Sequence, residues 1–156
     1  MIDKAKQAEY KKNWRAKNKE KILDYQREYR KKNPEKVREY SKERRKKAET
    51  DPVRFIDLMY RAMVDRSRKR NQEMNVDREY LTKLLKKTNG VCSLSGLPMS
   101  YKTHDPLRVS PDRKNSKKGY VKGNVQFVAA CVNIAKNDLT TKEFIKMCKA
   151  VAEKNI

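Results

Sequence analysis

The chain has 156 residues, 41 of them Lys or Arg against 20 Asp or Glu, for a net charge of +21 and an isoelectric point near 10.0. A surplus that large on so small a protein calls for a polyanionic partner, and nucleic acid is the usual one. No apolar run approaches the roughly 20 residues of a spanning helix, and Met1-Ile2-Asp3-Lys4 does not open a signal peptide, so the expectation is a soluble, cytoplasmic protein with no membrane partner.

Residues 1–50 hold 19 Lys+Arg against 9 Asp+Glu, a net +10, with very few aliphatic side chains. Such a segment cannot bury enough apolar surface to build a core. It contains a 15-residue repeat, in which YKKNWRAKNKEKILD (10–24) aligns with YQREYRKKNPEKVRE (25–39). Tyr10, Tyr25 and Tyr40 correspond, as do Trp14 and Tyr29, Asn18 and Asn33, and Ile22 and Val37. Most of these residue types favour helix, and Asn33-Pro34 lets one helix end and another begin. The segment reads as a basic helical arm. Its expected partner is double-stranded DNA, with Arg15, Lys17, Arg27, Arg30 and Lys31, then Arg38, Arg44 and Arg45, as phosphate contacts. Trp14, Tyr25, Tyr29 and Tyr40 either stack against the nucleic acid or serve only weak helix packing.

After Asp51-Pro52 the apolar content rises. Phe55, Met59, Ala62 and Met63 recur at helical spacing through 53–70, predicting a core helix that ends in a basic cluster from Arg66 to Arg70, of which Arg68 and Arg70 are further candidate phosphate contacts. Asp77 caps a second helix over 78–87, stopped by Asn89-Gly90. A short strand ends at 109–113, residues 114–119 make a polar turn, and 124–128 leads into a helix carrying Asn133 and Lys136. Thr140-Thr141-Lys142-Glu143 is a capping box for a last helix to about residue 153, expected to bury Phe144, Ile145, Cys148 and Val151. The fold class is therefore α+β, mostly helical, with an arm over 1–50 and a domain over 53–156. Cys92, Cys131 and Cys148 are odd in number and form no Cys-x-x-Cys pair, which indicates neither a disulfide framework nor a zinc ribbon.

The order of Asp112, Asn124 and Asn133 suits one metal ion held between a hairpin and a helix. Carboxylate and carboxamide oxygens are hard donors, which favour Mg²⁺ or Mn²⁺ over zinc and leave water and phosphate to complete the shell. A phosphodiester is the natural substrate of such a site. At these residues the chain resembles the HNH, or ββα-metal, endonuclease family, whose pattern runs Asp-His, a loop, Asn-Leu-Gln, then Asn or His and Lys on the following helix. Asp112 matches the metal-binding Asp, Asn124-Val125-Gln126 the central block, and Asn133-Ile134-Ala135-Lys136 the helix motif. The segment from Cys92 to Pro98 resembles the turn that leads into the family's hairpin, and the likeness covers roughly residues 53–150. The chain departs from the family at Arg113, which stands where the catalytic His belongs. Two Cys-x-x-Cys knuckles found in many relatives are also missing, their positions reading Cys92/Ser95 and Ala129/Val132, so no structural zinc is expected.

The resemblance implies an HNH-like nuclease core with flanking helices and a metal-dependent DNA endonuclease of the kind phages and mobile elements carry, acting inside the host cell. The alternative is a non-catalytic DNA-binding protein on a degenerate HNH scaffold. The candidate catalytic set is Asp112, Arg113, His104, Asn124 and Asn133, with Asp112 and Asn133 as metal ligands. Arg113 cannot be a base, since its guanidinium stays protonated, and its fork suits the scissile phosphate. By resemblance, Asn124 fixes the loop through backbone hydrogen bonds. His104, the only histidine, is one candidate base, Tyr101 or Tyr120 another, and metal-bound water a third. Lys114, Lys117, Lys118 and Lys136 complete the nucleic-acid contacts, although Lys136 is equally suited to neutralising the end of its helix. Nothing in the sequence fixes the oligomeric state or the target site.

Overall fold

The computed structural model describes residues 4–155. Among them are seven helices and a two-stranded antiparallel sheet, so the protein is α+β and mostly helical. It divides into two units, Met1–Glu43 and Arg44–Ile156.

In the first unit, α1 (Lys4–Lys17), α2 (Lys19–Lys32) and the start of α3 (Pro34–Glu49) follow one another with a single residue between them. Asn18 and Asn33 are those residues, and their bonding repeats. The backbone N–H and Nδ2 of Asn18 both donate to Trp14 O, at 3.0 and 2.9 Å, and those of Asn33 to Tyr29 O, at 2.9 and 3.0 Å. Each Asn carbonyl then accepts from the next helix, at Ile22 N–H and Val37 N–H. A short amide competes for local backbone groups, which is why Asn interrupts helices. Sequence predicts the break at Asn33-Pro34. The one at Asn18 has no proline to announce it. No residue of α2 is buried, and Tyr10, Trp14, Tyr25, Tyr29 and Tyr40 stand exposed, as the lack of aliphatics dictates.

The second unit begins earlier than composition suggests. Residues 44–50 look like arm, yet Ala48 lies within the hydrophobic core and Glu49 Oε1 accepts the Thr103 N–H at 2.8 Å. From α4 (Pro52–Arg70) come Phe55, Ile56, Met59 and Met63, and from α5 (Arg78–Lys87) Leu81 and Leu85. Asp51 caps α4 by accepting from Val53 and Arg54 N–H, and Asp77 caps α5 by accepting from Tyr80 N–H. At the far end of α4, Asn71 turns left-handed at φ 50°, and Asn71 and Gln72 N–H bond to Arg68 O and Ser67 O, the Schellman arrangement. This turn delivers Gln72 to the site described below. Asp57 joins the two helices, receiving Arg61 and Arg78 at 2.8 Å each.

β1 (Val109–Arg113) pairs with β2 (Val125–Ala129), with Val109 opposite Ala129, Asp112 opposite Gln126 and Arg113 opposite Val125. Every residue of β2 is buried, because helices cover one side and the 92–107 segment the other. Cys92, Val128 and Ala129 form a small second core with Leu94, Met99, Leu107, Cys131 and Val132. Gly119, in the β1–β2 connection, is a glycine for lack of room: a Cβ there would collide with the Glu73 backbone. That close approach lets Tyr120 pair with Met74 and bury its ring. α6 (Ala130–Lys136) follows β2 without a loop. α7 (Thr141–Asn155) opens with the expected capping box, but of its apolar residues only Phe144 is buried. Ile145, Cys148 and Val151 are exposed, contrary to their periodicity, because the helix docks through its first turn, where Thr141 N–H reaches Lys114 O, and leaves the rest in solvent.

Candidate active site

Alternation along β1 sends Asp112 and Arg113 in different directions, and each finds its own partners. Asp112 is 4% exposed. Its Oδ2 accepts Gln126 Nε2 at 2.8 Å from the facing strand, and its Oδ1 accepts Lys136 Nζ at 3.1 Å from α6. Lys136 is wholly buried and donates also to Arg113 O at 2.9 Å. Its assignment to nucleic-acid contact from sequence is therefore corrected: a lysine with no exposed surface reaches no phosphate, and its charge is needed to neutralise a carboxylate taken out of water.

Arg113 is nearly as buried. Its Nη1 donates to Gln72 Oε1 and, at 3.4 Å, to Lys118 O, while the guanidinium lies 5.6 Å from the Tyr120 ring centroid. The fork expected to grip a phosphate thus has one prong tied into the fold. Asn124 holds the β1–β2 connection: Nδ2 donates to Asn115 O and Gly119 O at 3.1 and 2.9 Å, and Oδ1 accepts Asn115 N–H at 3.0 Å. Asn133 donates from Nδ2 to Ser110 Oγ at 2.7 Å and Pro111 O at 3.2 Å, which anchors α6 to β1.

Asp112, Arg113 and Asn133 meet at a polar cleft of about 170 Å³, joined by Arg66 and Arg70 from α4, Ser116, Tyr120, Asn137 and Asp138. Its volume lies below the roughly 300 Å³ at which organic-ligand pockets begin. The size and polarity suit a phosphate group with water. His104 is not there. It sits in a separate depression of about 460 Å³ with Arg45, Asp105, Arg108, Cys131 and Ile134, on a turn at φ 67°. Tyr101 is elsewhere too, its ring 4.8 Å from Phe55 in the core. Of the three side chains nominated for proton transfer, Tyr120 alone lines the cleft.

The remaining cations nominated from sequence separate by position. Lys114, Lys117, Lys118, Arg15, Lys17, Arg27, Arg30, Lys31, Arg38 and Arg45 are solvent-exposed and Arg44 is half-buried. Arg68 borders a different depression, with Ser67 and Gln72. Arg66 and Gln72 carry the site's geometry without a role expected from sequence, and Gln126, read there only as part of the central block, holds Asp112. The four-residue spacing of Arg66 and Arg70 on one helix was the available signal for the first.

Cation chemistry can be tested against these residues. Among the described residues no three His, Cys, Asp or Glu side chains gather to cage a metal. Mg²⁺ asks for less, since one or two carboxylates with water and phosphate oxygens satisfy it. Asp112, Asn133 and Asp138 border one cleft with oxygen donors of that class, and a carboxylate oxygen engaged by one donor keeps a second acceptor position. The donor set fits a hard divalent ion, with Lys136 as a resident cation beside it.

Searches of protein-family models, curated proteins and solved structures find no match to this chain. No described helix is long and apolar enough to cross a membrane.

Proposed function

We propose that this protein is a metal-dependent DNA endonuclease of the HNH type that hydrolyses phosphodiester bonds in double-stranded DNA in the cytoplasm. One observation carries the reading: residues 21 apart in the chain, Asp112 and Asn133, border a single small polar cleft at the β1–α6 junction, in company with Arg66, Arg70 and Arg113. The strand, loop, strand and helix order around it is what the HNH resemblance implies.

Hydrolysis needs a nucleophile that loses a proton, neutralisation of charge developing on phosphorus, and stabilisation of the departing oxygen. Asp112 and Asn133 would hold Mg²⁺ or Mn²⁺, whose bound state supplies Lewis acidity. The chain's own residues do the rest. Gln126 and Lys136 fix the Asp112 carboxylate from two sides. Asn124 keeps the β1–β2 connection in shape. The guanidiniums give a positive, preorganised wall that favours the pentavalent phosphorane-like charge over the ground-state diester. The exposed basic residues of the arm supply sequence-independent attraction to the duplex.

A second reading has its own support: a non-catalytic DNA-binding protein on the same scaffold. Asp112 already has a counter-ion in Lys136, and His104 lies outside the cleft. Incubating supercoiled plasmid with Mg²⁺, Mn²⁺ or EDTA separates the two. The nuclease reading expects nicked or linear product with metal and none in EDTA; intact plasmid under every condition, with DNA still bound, leaves the binding module.

A further inference from the structure

Resting on the nuclease reading, we infer that the phosphate being cut is gripped by Arg66 and Arg70 of α4, and that the Tyr120 hydroxyl is the positioning group that aims Arg66. Arg113, at the family's histidine position, then serves as a wall of the site rather than its clamp.

Availability separates the three arginines. Arg113 is 8% exposed with Nη1 engaged by Gln72 and Lys118. Arg66 and Arg70 are exposed, and neither joins an ion pair among the described residues. Four residues apart on one helix, they project from the same face, and both line the cleft that holds Asp112. Two forks side by side can take two non-bridging oxygens of one phosphodiester. Two cations on a helix face would, by themselves, be an ordinary solvated pair. What distinguishes Arg66 is a buried partner: its Nη1 donates at 3.3 Å to the hydroxyl of Tyr120, a residue 4% exposed.

Tyr120 is itself held firmly. Its carbonyl accepts Asn75 N–H at 3.2 Å, its backbone pairs with Met74, and the Gly119 approach to Glu73 fixes the segment leading to it. The hydroxyl is therefore a fixed point, and the bond to it limits the rotamers available to an otherwise exposed arginine. That is preorganisation: the orientation is set before the substrate arrives. Of the two carboxylates that line the cleft, Asp112 is already neutralised by Lys136, and Asp138 makes no ion pair with either arginine among the described residues.

The test uses the full-length protein and a mixed-sequence duplex oligonucleotide. Binding is measured by anisotropy in EDTA over a range of salt, and cleavage by single-turnover kinetics in Mg²⁺. Arg66→Ala and Arg70→Ala should each lower the slope of log Kd against log salt by about 0.9, the value of one phosphate contact, and each should slow cleavage by roughly 10²-fold. Tyr120→Phe keeps the ring and its packing, so it should leave the salt slope, KM and melting temperature unchanged and lower kcat about tenfold. Because the hydroxyl acts through Arg66, the double variant Arg66→Ala/Tyr120→Phe should cut no more slowly than Arg66→Ala. Additive losses in that pair overturn the positioning role, and unchanged salt slopes for both arginine variants overturn the clamp. If the wild type cuts nothing with any metal, the nuclease reading fails while the slopes still decide whether Arg66 and Arg70 hold phosphate.

Discussion

The two units handle positive charge in opposite ways. Up to Glu43 the chain carries 15 Lys+Arg against 8 Asp+Glu; those whose side chains are described stand nearly all in solvent, and the ion pairs Arg27–Asp24 and Lys32–Glu28 are exposed contacts within one helix. Such pairs are worth a few tenths of a kcal/mol each. In the second unit two cations of the cleft are withdrawn from water, Lys136 with no exposed surface and Arg113 with 8%, and the exposed Arg66 is tied to the buried Tyr120 hydroxyl. Charge in the arm is a quantity, interchangeable from one residue to the next. At the cleft it is a position, and moving one group by a side chain's length leaves a partner orphaned.

The largest effect should come from breaking the buried pair. Asp112→Ala leaves the Lys136 ammonium in the interior without its counter-ion, at a cost of about 3–5 kcal/mol. An inactive Asp112→Ala could then be merely unfolded. The sharper variant is Asp112→Asn with Lys136→Met, which removes both charges together. Thermal unfolding should show most of the stability restored relative to Asp112→Ala, while plasmid cleavage stays abolished. Wild-type cutting by the double variant would remove Asp112 from the chemistry.

Arg113 comes next. Arg113→Ala tests its place as a wall of the site: a kcat loss of roughly 10²–10³ would return the phosphate grip to its guanidinium, but the structure adds a second loss, since Gln72 is left without its donor. A drop in melting temperature together with an activity loss under tenfold would identify Arg113 as mainly a tie between β1 and the turn after α4. Arg113→Lys should restore little of either, because an ammonium cannot reproduce the fork.

The arm tests the other half of the contrast. Deleting residues 1–43 should weaken binding to every DNA sequence alike and reduce the salt slope by about 0.9 for each phosphate the arm neutralises, with the second unit melting as before. Deleting residues 1–50 should do the same to binding and also lower the melting temperature, because it removes Ala48 from the core and Glu49 from Thr103. Identical melting of the two truncations would place the domain boundary at residue 50 after all.

The smallest effect concerns exposed caps. The Asp51 carboxyl is held below its usual range by the N–H groups of Arg54 and Val53, and Glu143 by that of Thr140. An acid whose folded pKa is depressed contributes stability that is complete above its unfolded value and is lost as pH falls through the folded one. Melting temperature should therefore hold down to roughly pH 5 and decline below it. Asp51→Asn, still a cap but unable to ionise, should make that decline shallower.

The sequence announced the helices best where a local signal opened them. Asp77 and the Thr140–Glu143 box cap as expected, and the strand at 109–113 is where the pattern placed it. The order of Asp112, Asn124 and Asn133 along the chain pointed to one place, and the structure brings Asp112 and Asn133 to one cleft while Asn124 holds the neighbouring loop. What was not legible depends on contacts between distant residues. Arg66 is one of several arginines until Tyr120, 54 residues away, accepts from it. Lys136 reads as a surface lysine until α6 turns it toward Asp112. Periodicity assigned α7 an apolar face but could not say that nothing would cover it.

The paired asparagines of the first unit have one more consequence. Asn18 closes the helix before it and opens the one after it using only atoms of its own repeat and the four residues on either side, and Asn33 does the same. Each 15-residue repeat thus carries its own helix junction, built from local contacts alone. A copy can be duplicated or deleted in one recombination event without disturbing its neighbours, and with modules of net +4 and +3, the grip on a polyanion can be inherited in whole-number steps while the domain that follows keeps its core untouched.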